Sequence, residues 1–81
     1  MVGNIIYSRH SRRRMKLYGI TEDDVETVWV HGSRSDLPDG RAEFIWNIPD
    51  RSHYPVKVVG METEKGFLVV TAYPLKERKE R

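Results

Sequence analysis

The hydrophobic pattern changes its period once along this chain, and that change constrains the fold more than any other feature. In residues 9–31, apolar side chains recur at intervals of three to four, which is typical of amphipathic helices. From residue 41 onward they alternate or form short β-branched runs, which is typical of strands. Because 81 residues can build only one modest core, the pattern predicts a single α+β domain over residues 1–81, with two N-terminal helices packed on one face of a twisted antiparallel sheet.

Local signals indicate where the two predicted helices begin and end. Ser8 offers a hydroxyl at the N-cap of a helix over residues 9–18, and Gly19 suits the position after the last turn. The stretch 21–32 opens with Thr-x-x-Asp, an approximate capping box, and then carries valines and a tryptophan at helical spacing. A second helix is therefore predicted to end near His31.

The rest of the chain predicts a sheet of three to four strands. Residues 32–40 end in a Pro-Asp-Gly turn signal and are predicted as a loop. Pro74 is predicted to end the last strand, and residues 74–81 are predicted to form a charged tail that is either frayed or a solvated helical turn. Strands are predicted over residues 41–48, 56–62, 67–73 and, near the amino terminus, 4–7.

Several classes of function are disfavoured by what the sequence lacks. The chain has no cysteine, so disulfides and thiolate metal sites are excluded. Its three histidines lie on separate segments without paired ligand spacing, and no P-loop or dinucleotide fingerprint is present, so we predict neither a metal nor a nucleotide cofactor. No apolar stretch of membrane-spanning length occurs, which predicts a cytoplasmic protein without membrane association.

Positive charge is concentrated near the amino terminus. Residues 1–20 contain five Arg or Lys and no acidic residue, whereas the remainder is net negative. A local positive field of this kind attracts a polyanion or docks on an acidic partner. On a helical wheel, four of these cations lie opposite the apolar stripe and are candidate phosphate contacts: Arg9, Arg12, Arg13 and Lys16.

His10 and Arg14 lie one turn apart on the first predicted helix. With Leu17 they form a stripe that adjoins the apolar stripe of Ser11, Met15 and Tyr18. Metal-independent RNA cleavage needs a base, an acid and a cation near the developing phosphorane charge. A histidine beside an arginine supplies a titrating group and a fixed cation. Alternatively, Arg14 extends from the edge of the core to solvent while His10 hydrogen-bonds to the backbone. The residues alone leave both interpretations open.

The open face of the predicted sheet supplies further candidates. Because side chains alternate faces along a strand, the even-numbered residues of the last strand are predicted to lie under the helices and the odd-numbered ones on the open face. A polar, cationic face with an aromatic side chain suits a nucleic-acid base; an ordinary solvated sheet face is the alternative. The predicted open face holds Arg41, Glu43, Asn47, Lys57, Thr71 and Tyr73.

The segment from His10 to Ile20, which reads HSRRRMKLYGI, resembles a known family opening, His-Ala-x-x-Arg-Met-x-x-Arg-Gly-Ile. That opening belongs to a bacterial and archaeal family of small proteins, a domain of unknown function grouped with the RelE/ParE-like toxins and similar in layout to BrnT-type ribonuclease toxins. Residues 57–60 and 69–74 are similar to that family's last two strands. Tyr18 stands where the family commonly has a second Arg, and Ser11 where Ala is usual.

The resemblance implies a RelE-like fold and a toxin-like endoribonuclease of a toxin–antitoxin system. Its partners would be RNA, free or on the ribosome, and a small acidic antitoxin protein. His10 would act as base or acid, Arg14 and Lys57 would stabilise phosphate charge, and Tyr73 would stack on a base or donate a proton. The expected catalytic residues are His10, Arg14, Lys57, Thr71 and Tyr73, and the expected RNA contacts are Arg9, Arg12, Arg13, Lys16 and Arg41. A non-catalytic nucleic-acid-binding or protein-interaction module of the same fold is the alternative.

Overall fold

The computed structural model describes residues 4–49 and 55–75. Its sheet has the strand order β1-β5-β4-β3-β2, in which β1 runs parallel to β5 and every other neighbouring pair is antiparallel. Helix α1 packs on β5, and α2 packs on β3 and β4. The elements in chain order are β1 (Ile5–Tyr7), α1 (Arg9–Tyr18), α2 (Glu22–His31), β2 (Ser33–Asp36), β3 (Ala42–Trp46), β4 (Val56–Thr63) and β5 (Gly66–Pro74).

The predicted α+β class and both predicted helices are confirmed, whereas the predicted sheet was wrong in two respects. Within the described residues the sheet has five strands and is mixed, because β1 joins its edge in parallel orientation. The predicted loop 32–40 contains the strand β2, whose four residues are all exposed. Such a strand carries no hydrophobic signal and forms because it pairs with β3. Residues 50–54, which include His53, and the tail residues 76–81 lie outside the described residues.

Ser8 both starts α1 and ties it to the sheet. Its Oγ accepts a hydrogen bond from the Ser11 backbone N–H at 3.0 Å, as the N-cap prediction requires. The same hydroxyl donates to the carbonyl of Val70 at 3.2 Å, and the Ser8 N–H donates to the carbonyl of Val69 at 3.2 Å. The first turn of α1 is therefore held against the middle of β5.

A β-bulge at Val70 decides which side chains of β5 face the helices. Along β4 the paired residues of β5 step from Val69 directly to Thr71, so Val70 is left without a partner. One extra residue reverses the alternation of faces. Phe67 and Val69 are buried before the bulge, and Ala72 is buried after it. The predicted alternation was therefore wrong for residues 67–70, but it placed Thr71 on the correct, open face.

The core lies between the two helices and the sheet, with Phe67 near its centre. The Phe67 ring stacks on Trp29 with centroids 5.6 Å apart and meets Phe44 edge-on at 5.4 Å. Helix α1 buries only Ser11 and Met15. Leu17, which was expected beside the apolar stripe of α1, is 68% exposed. In the described part of the chain, neither helix has the length and hydropathy needed to cross a membrane.

Stability at alkaline pH should depend on Tyr7, which lies on β1 beside the acidic first turn of α2. Burial, together with the charges of Glu22 and Glu26, raises the pKa of Tyr7 to about 12. In the unfolded chain a tyrosine side chain has its ordinary pKa of about 10. The difference between the two pKa values contributes to the stability of the folded protein. This contribution is fully present below about pH 10 and is lost as the pH rises through about 12.

We therefore expect the Tyr7→Phe protein to lose less stability than the wild type between pH 9 and pH 12. Urea unfolding at each pH measures the free energy of unfolding of both proteins. The phenylalanine ring keeps most of the packing but has no proton to release. Lys57, whose pKa is also raised, contributes in the same window and is present in both proteins, so the comparison isolates Tyr7. Parallel losses in the two proteins would contradict this prediction.

Candidate functional site

A cleft opens between α1 and the second half of β5. It has a volume of about 250 Å³ and is lined by His10, Arg14 and Tyr18 from the helix and by Thr71 and Tyr73 from the strand. The sequence predicted four of these five residues as site residues but left open whether the helix and the sheet face form one site. In the structure they line a single cleft with two walls.

Three features of the fold create this arrangement. The helical repeat places His10 and Arg14 on one side of α1, because residues four apart are neighbours on a helix. The two hydrogen bonds from Ser8 fix the start of the helix against β5. The bulge at Val70 turns Thr71 away from the core, since unbroken alternation from the buried Val69 would have directed it inward.

Both polar side chains of the helix wall are available to a ligand. His10 and Arg14 are exposed, and no acidic side chain within residues 4–49 and 55–75 forms an ion pair with either of them. In that part of the chain no backbone hydrogen bond holds the His10 ring, as the alternative interpretation would require. A phosphate at this wall would therefore meet a guanidinium that no described carboxylate neutralises.

Lys57 lies beside the cleft, but its charge is already balanced. Its Nζ is 2.8 Å from Oε1 of Glu43, and both side chains are about four-fifths buried. The hydrogen bond to Glu43 raises the pKa of Lys57, so the ammonium stays protonated at neutral pH. The same Nζ lies 6.0 Å from the ring centroid of Tyr73, its cross-strand partner. Lys57 thus lies against Tyr73, on the strand side of the cleft. Its predicted role in binding phosphate stays a prediction, and a phosphate would have to compete with Glu43 for the ammonium group.

The expected RNA contacts divide into two groups in the structure. Arg12 pairs with Glu22 at 3.0 Å and lies 5.0 Å from the centroid of the Tyr7 ring. Arg41 pairs with Asp39 at 2.7 Å, in the loop between β2 and β3. These two guanidinium groups already have anionic partners. The other three side chains are exposed and form no ion pair with a described residue: Arg9, Arg13 and Lys16.

A larger hollow of about 520 Å³ lies on the other side of the His10/Arg14 pair. Its described lining also includes Arg13, Lys16 and Leu17, so every described lining residue belongs to α1. The smaller cleft has described walls from two elements and is therefore taken as the candidate site.

Sequence reasoning missed two residues of this region. Tyr18 is 40% exposed and lines the cleft, although it had been assigned to the apolar stripe. Its spacing of four from Arg14 and eight from His10 was a signal that could have found it. Glu43 was placed on the open face without a role, and its pairing with Lys57 depends on the register between β3 and β4.

Neither a metal centre nor a relative identifies the site. Among the side chains that the structure describes, no three His, Asp or Glu residues are grouped as a metal ion would require. Comparison of the chain with protein families, with curated proteins and with solved structures finds no match in any of the three.

Proposed function

We propose that this protein is a metal-independent endoribonuclease of the RelE/ParE-like toxin type, with the α1–β5 cleft as its active site. The observation that carries this proposal is the cleft itself, in which an imidazole and a guanidinium on α1 face a hydroxyl and a phenol on β5. RNA carries its own nucleophile, the 2′-hydroxyl, so cleavage needs proton transfer and charge stabilisation rather than a metal. The resemblance of residues 10–20 to that toxin family supports the same assignment.

Four of the five lining residues have a role that their chemistry allows. His10 removes the proton from the 2′-hydroxyl or delivers one to the departing 5′-oxygen. Arg14 donates paired hydrogen bonds to the non-bridging phosphate oxygens, where negative charge accumulates. Tyr73 donates a proton or stacks on a base, and Thr71 hydrogen-bonds to the nucleotide. The 2′-oxygen replaces the 5′-oxygen on phosphorus, which leaves a 2′,3′-cyclic phosphate and a 5′-hydroxyl.

The proposal is tested by incubating the purified protein with single-stranded and structured RNA in excess EDTA. We expect cleavage products that end in a 2′,3′-cyclic phosphate, with and without EDTA. Mass spectrometry of the product termini distinguishes this chemistry from hydrolysis that leaves a 5′-phosphate. RNA that stays intact, both free and in the presence of ribosomes, would contradict the enzyme proposal.

The second candidate function is RNA binding without cleavage, and the exposed cations of α1 favour it. Each phosphate contact to single-stranded RNA contributes a slope of about −0.7 to the dependence of log affinity on log salt concentration. We expect Arg13→Ala to weaken binding and to reduce the magnitude of the slope by about that amount. Arg12→Ala is the matched control, because Arg12 is the adjacent residue of the same type and already pairs with Glu22.

Fluorescence anisotropy of a labelled RNA oligonucleotide between 50 and 300 mM KCl measures both slopes. The Arg12→Ala protein should retain a slope close to that of the wild type. Equal reductions in the two variants would show that the ion pair to Glu22 does not withdraw Arg12 from the RNA.

A small acidic antitoxin would complete the proposed system. The basic residues of α1 that lack described acidic partners offer such a protein the same charges that they offer RNA. Antitoxin and RNA would then compete for one surface. A short reading frame for an acidic protein beside this gene is the observation that would favour this partner, and its absence would count against it.

A further inference from the structure

We propose that the α1–β5 cleft binds one nucleotide, with its base stacked on Tyr18 and its phosphate at Arg14 and His10. This inference rests on the proposed function for its ligand class, since the nucleotide is taken to be part of an RNA strand. It assigns the specificity of the site to a residue that was not among the expected catalytic residues or RNA contacts.

The position of Tyr18 is the first argument. It lies one turn beyond Arg14 and two turns beyond His10 on the cleft side of α1, in the last turn of the helix. Its side chain is 40% exposed although it is large and aromatic. An aromatic ring at the wall of a cleft that also holds cations is the usual surface on which proteins stack an unpaired base. The ring is therefore accessible to a base that enters the cleft.

The composition of the opposite wall is the second argument. Tyr73 supplies another aromatic ring from β5, and the hydroxyl of Thr71 lies on the same strand face. Tyrosine rings from two walls suit a planar base, and a hydroxyl can donate to or accept from its edge. Lys57 is paired with Glu43, so its charge is already balanced. A phosphate is therefore expected at the end of the cleft where Arg14 and His10 lie.

The size of the cleft suits one nucleotide. Its volume of about 250 Å³ lies just below the range of roughly 300–1,000 Å³ that is usual for pockets holding drug-sized ligands. At about 1.5 Å per residue, Arg14 lies roughly 6 Å and His10 roughly 12 Å along the helix axis from Tyr18. A base on Tyr18 and its own phosphate at Arg14 and His10 fit this spacing.

The test measures binding of defined probes by isothermal titration and by NMR, and it needs no cleavage. The probes are uridine 3′-monophosphate and adenosine 3′-monophosphate, with uridine, adenosine and inorganic phosphate as their separate parts. We expect each monophosphate to bind at least about fivefold more tightly than inorganic phosphate, because stacking on an aromatic side chain contributes at least about that much affinity. Each should also bind more tightly than its nucleoside, which lacks the phosphate that Arg14 and His10 contact. Signals of the Tyr18 and Tyr73 rings should shift with the monophosphates.

Three variants separate stacking from packing. Tyr18→Ala should lower monophosphate affinity about fivefold or more and leave the affinity for inorganic phosphate unchanged. Tyr18→Phe retains the ring and should bind like the wild type, which also guards against loss of structure at this helix end. Leu17→Ala is the control, because Leu17 is the adjacent exposed residue and does not line this cleft.

The outcomes distinguish this inference from the proposed function. If monophosphates bind no better than inorganic phosphate, or if no probe binds, the inference is overturned. Cleavage of RNA by Tyr18→Ala at the wild-type rate and affinity would overturn it while leaving the ribonuclease proposal intact. Binding that depends on Tyr18, in a protein that cleaves no RNA, would support the nucleotide site and refute the enzyme.

Discussion

RNA cleavage by the His10→Ala protein is expected to be about 10²- to 10⁴-fold slower than by the wild type, because that is the contribution of one positioned acid or base. The imidazole is exposed at the cleft wall and is not part of the core. Substitutions at such surface positions usually change the free energy of unfolding by less than about 0.5 kcal/mol. Single-turnover cleavage of a labelled RNA oligonucleotide measures the rate without interference from product release.

His31→Ala is the matched control for this prediction. His31 is also an exposed histidine, but it ends α2, where its ring lies 5.6 Å from that of Trp46. The His31→Ala protein should therefore cleave RNA at the wild-type rate. Unchanged cleavage by His10→Ala, or equal losses in the two variants, would remove His10 from the mechanism. The double variant with Arg14→Ala should lose less than the product of the two single effects, because residues that act on one transition state are not additive.

A large loss of stability is expected for Gly60→Ala, which should lower the free energy of unfolding by about 3 kcal/mol. A Cβ atom at position 60 would lie 2.3 Å from the carbonyl oxygen of Leu68 and 2.6 Å from the ring of Phe67. The carbonyl belongs to the paired backbone of β5, and the ring is held between Trp29 and Phe44. Neither neighbour can move without disturbing the core, and the total stability of a small domain is only about 5–15 kcal/mol.

Urea denaturation followed by tryptophan fluorescence measures this loss, with Gly40→Ala as the comparison. Gly40 has φ of 94° and no atom within 4 Å of a built Cβ, so alanine there brings backbone strain without a steric clash. That strain is worth roughly 1–2 kcal/mol. Gly60→Ala should therefore be clearly the more damaging of the two. If the Gly60→Ala protein is as stable as the Gly40→Ala protein, the backbone of β5 must shift near the bulge at Val70 to accommodate the added methyl group.

Features encoded within a few neighbouring residues were predicted well. The ends of α1 follow from Ser8 and Gly19, which cap it as expected. The start of α2 follows from its capping box, in which Thr21 and Asp24 exchange hydrogen bonds. The nearness of His10 to Arg14 follows from the helical repeat alone. These are local properties of the backbone, and distant parts of the chain change them little.

Features that depend on how distant segments pair were not predictable in this way. No local signal marks the bulge at Val70, which exists only in the register between β4 and β5 and which reverses the face of every residue before it. The strand β2 has no apolar pattern and forms only where β3 offers its edge. The same holds for the ion pair between Glu43 and Lys57, since it joins two strands.

The candidate site combines both kinds of information. Residue types and helical spacing were enough to select His10 and Arg14, because a helix fixes its own surface geometry within each turn. Their meeting with Thr71 and Tyr73 required the packing of α1 on β5, the hydrogen bonds from Ser8 and the extra residue in β5. Those contacts join α1 and β5, which are far apart in the sequence. They form only when the whole domain folds, so no short segment encodes them.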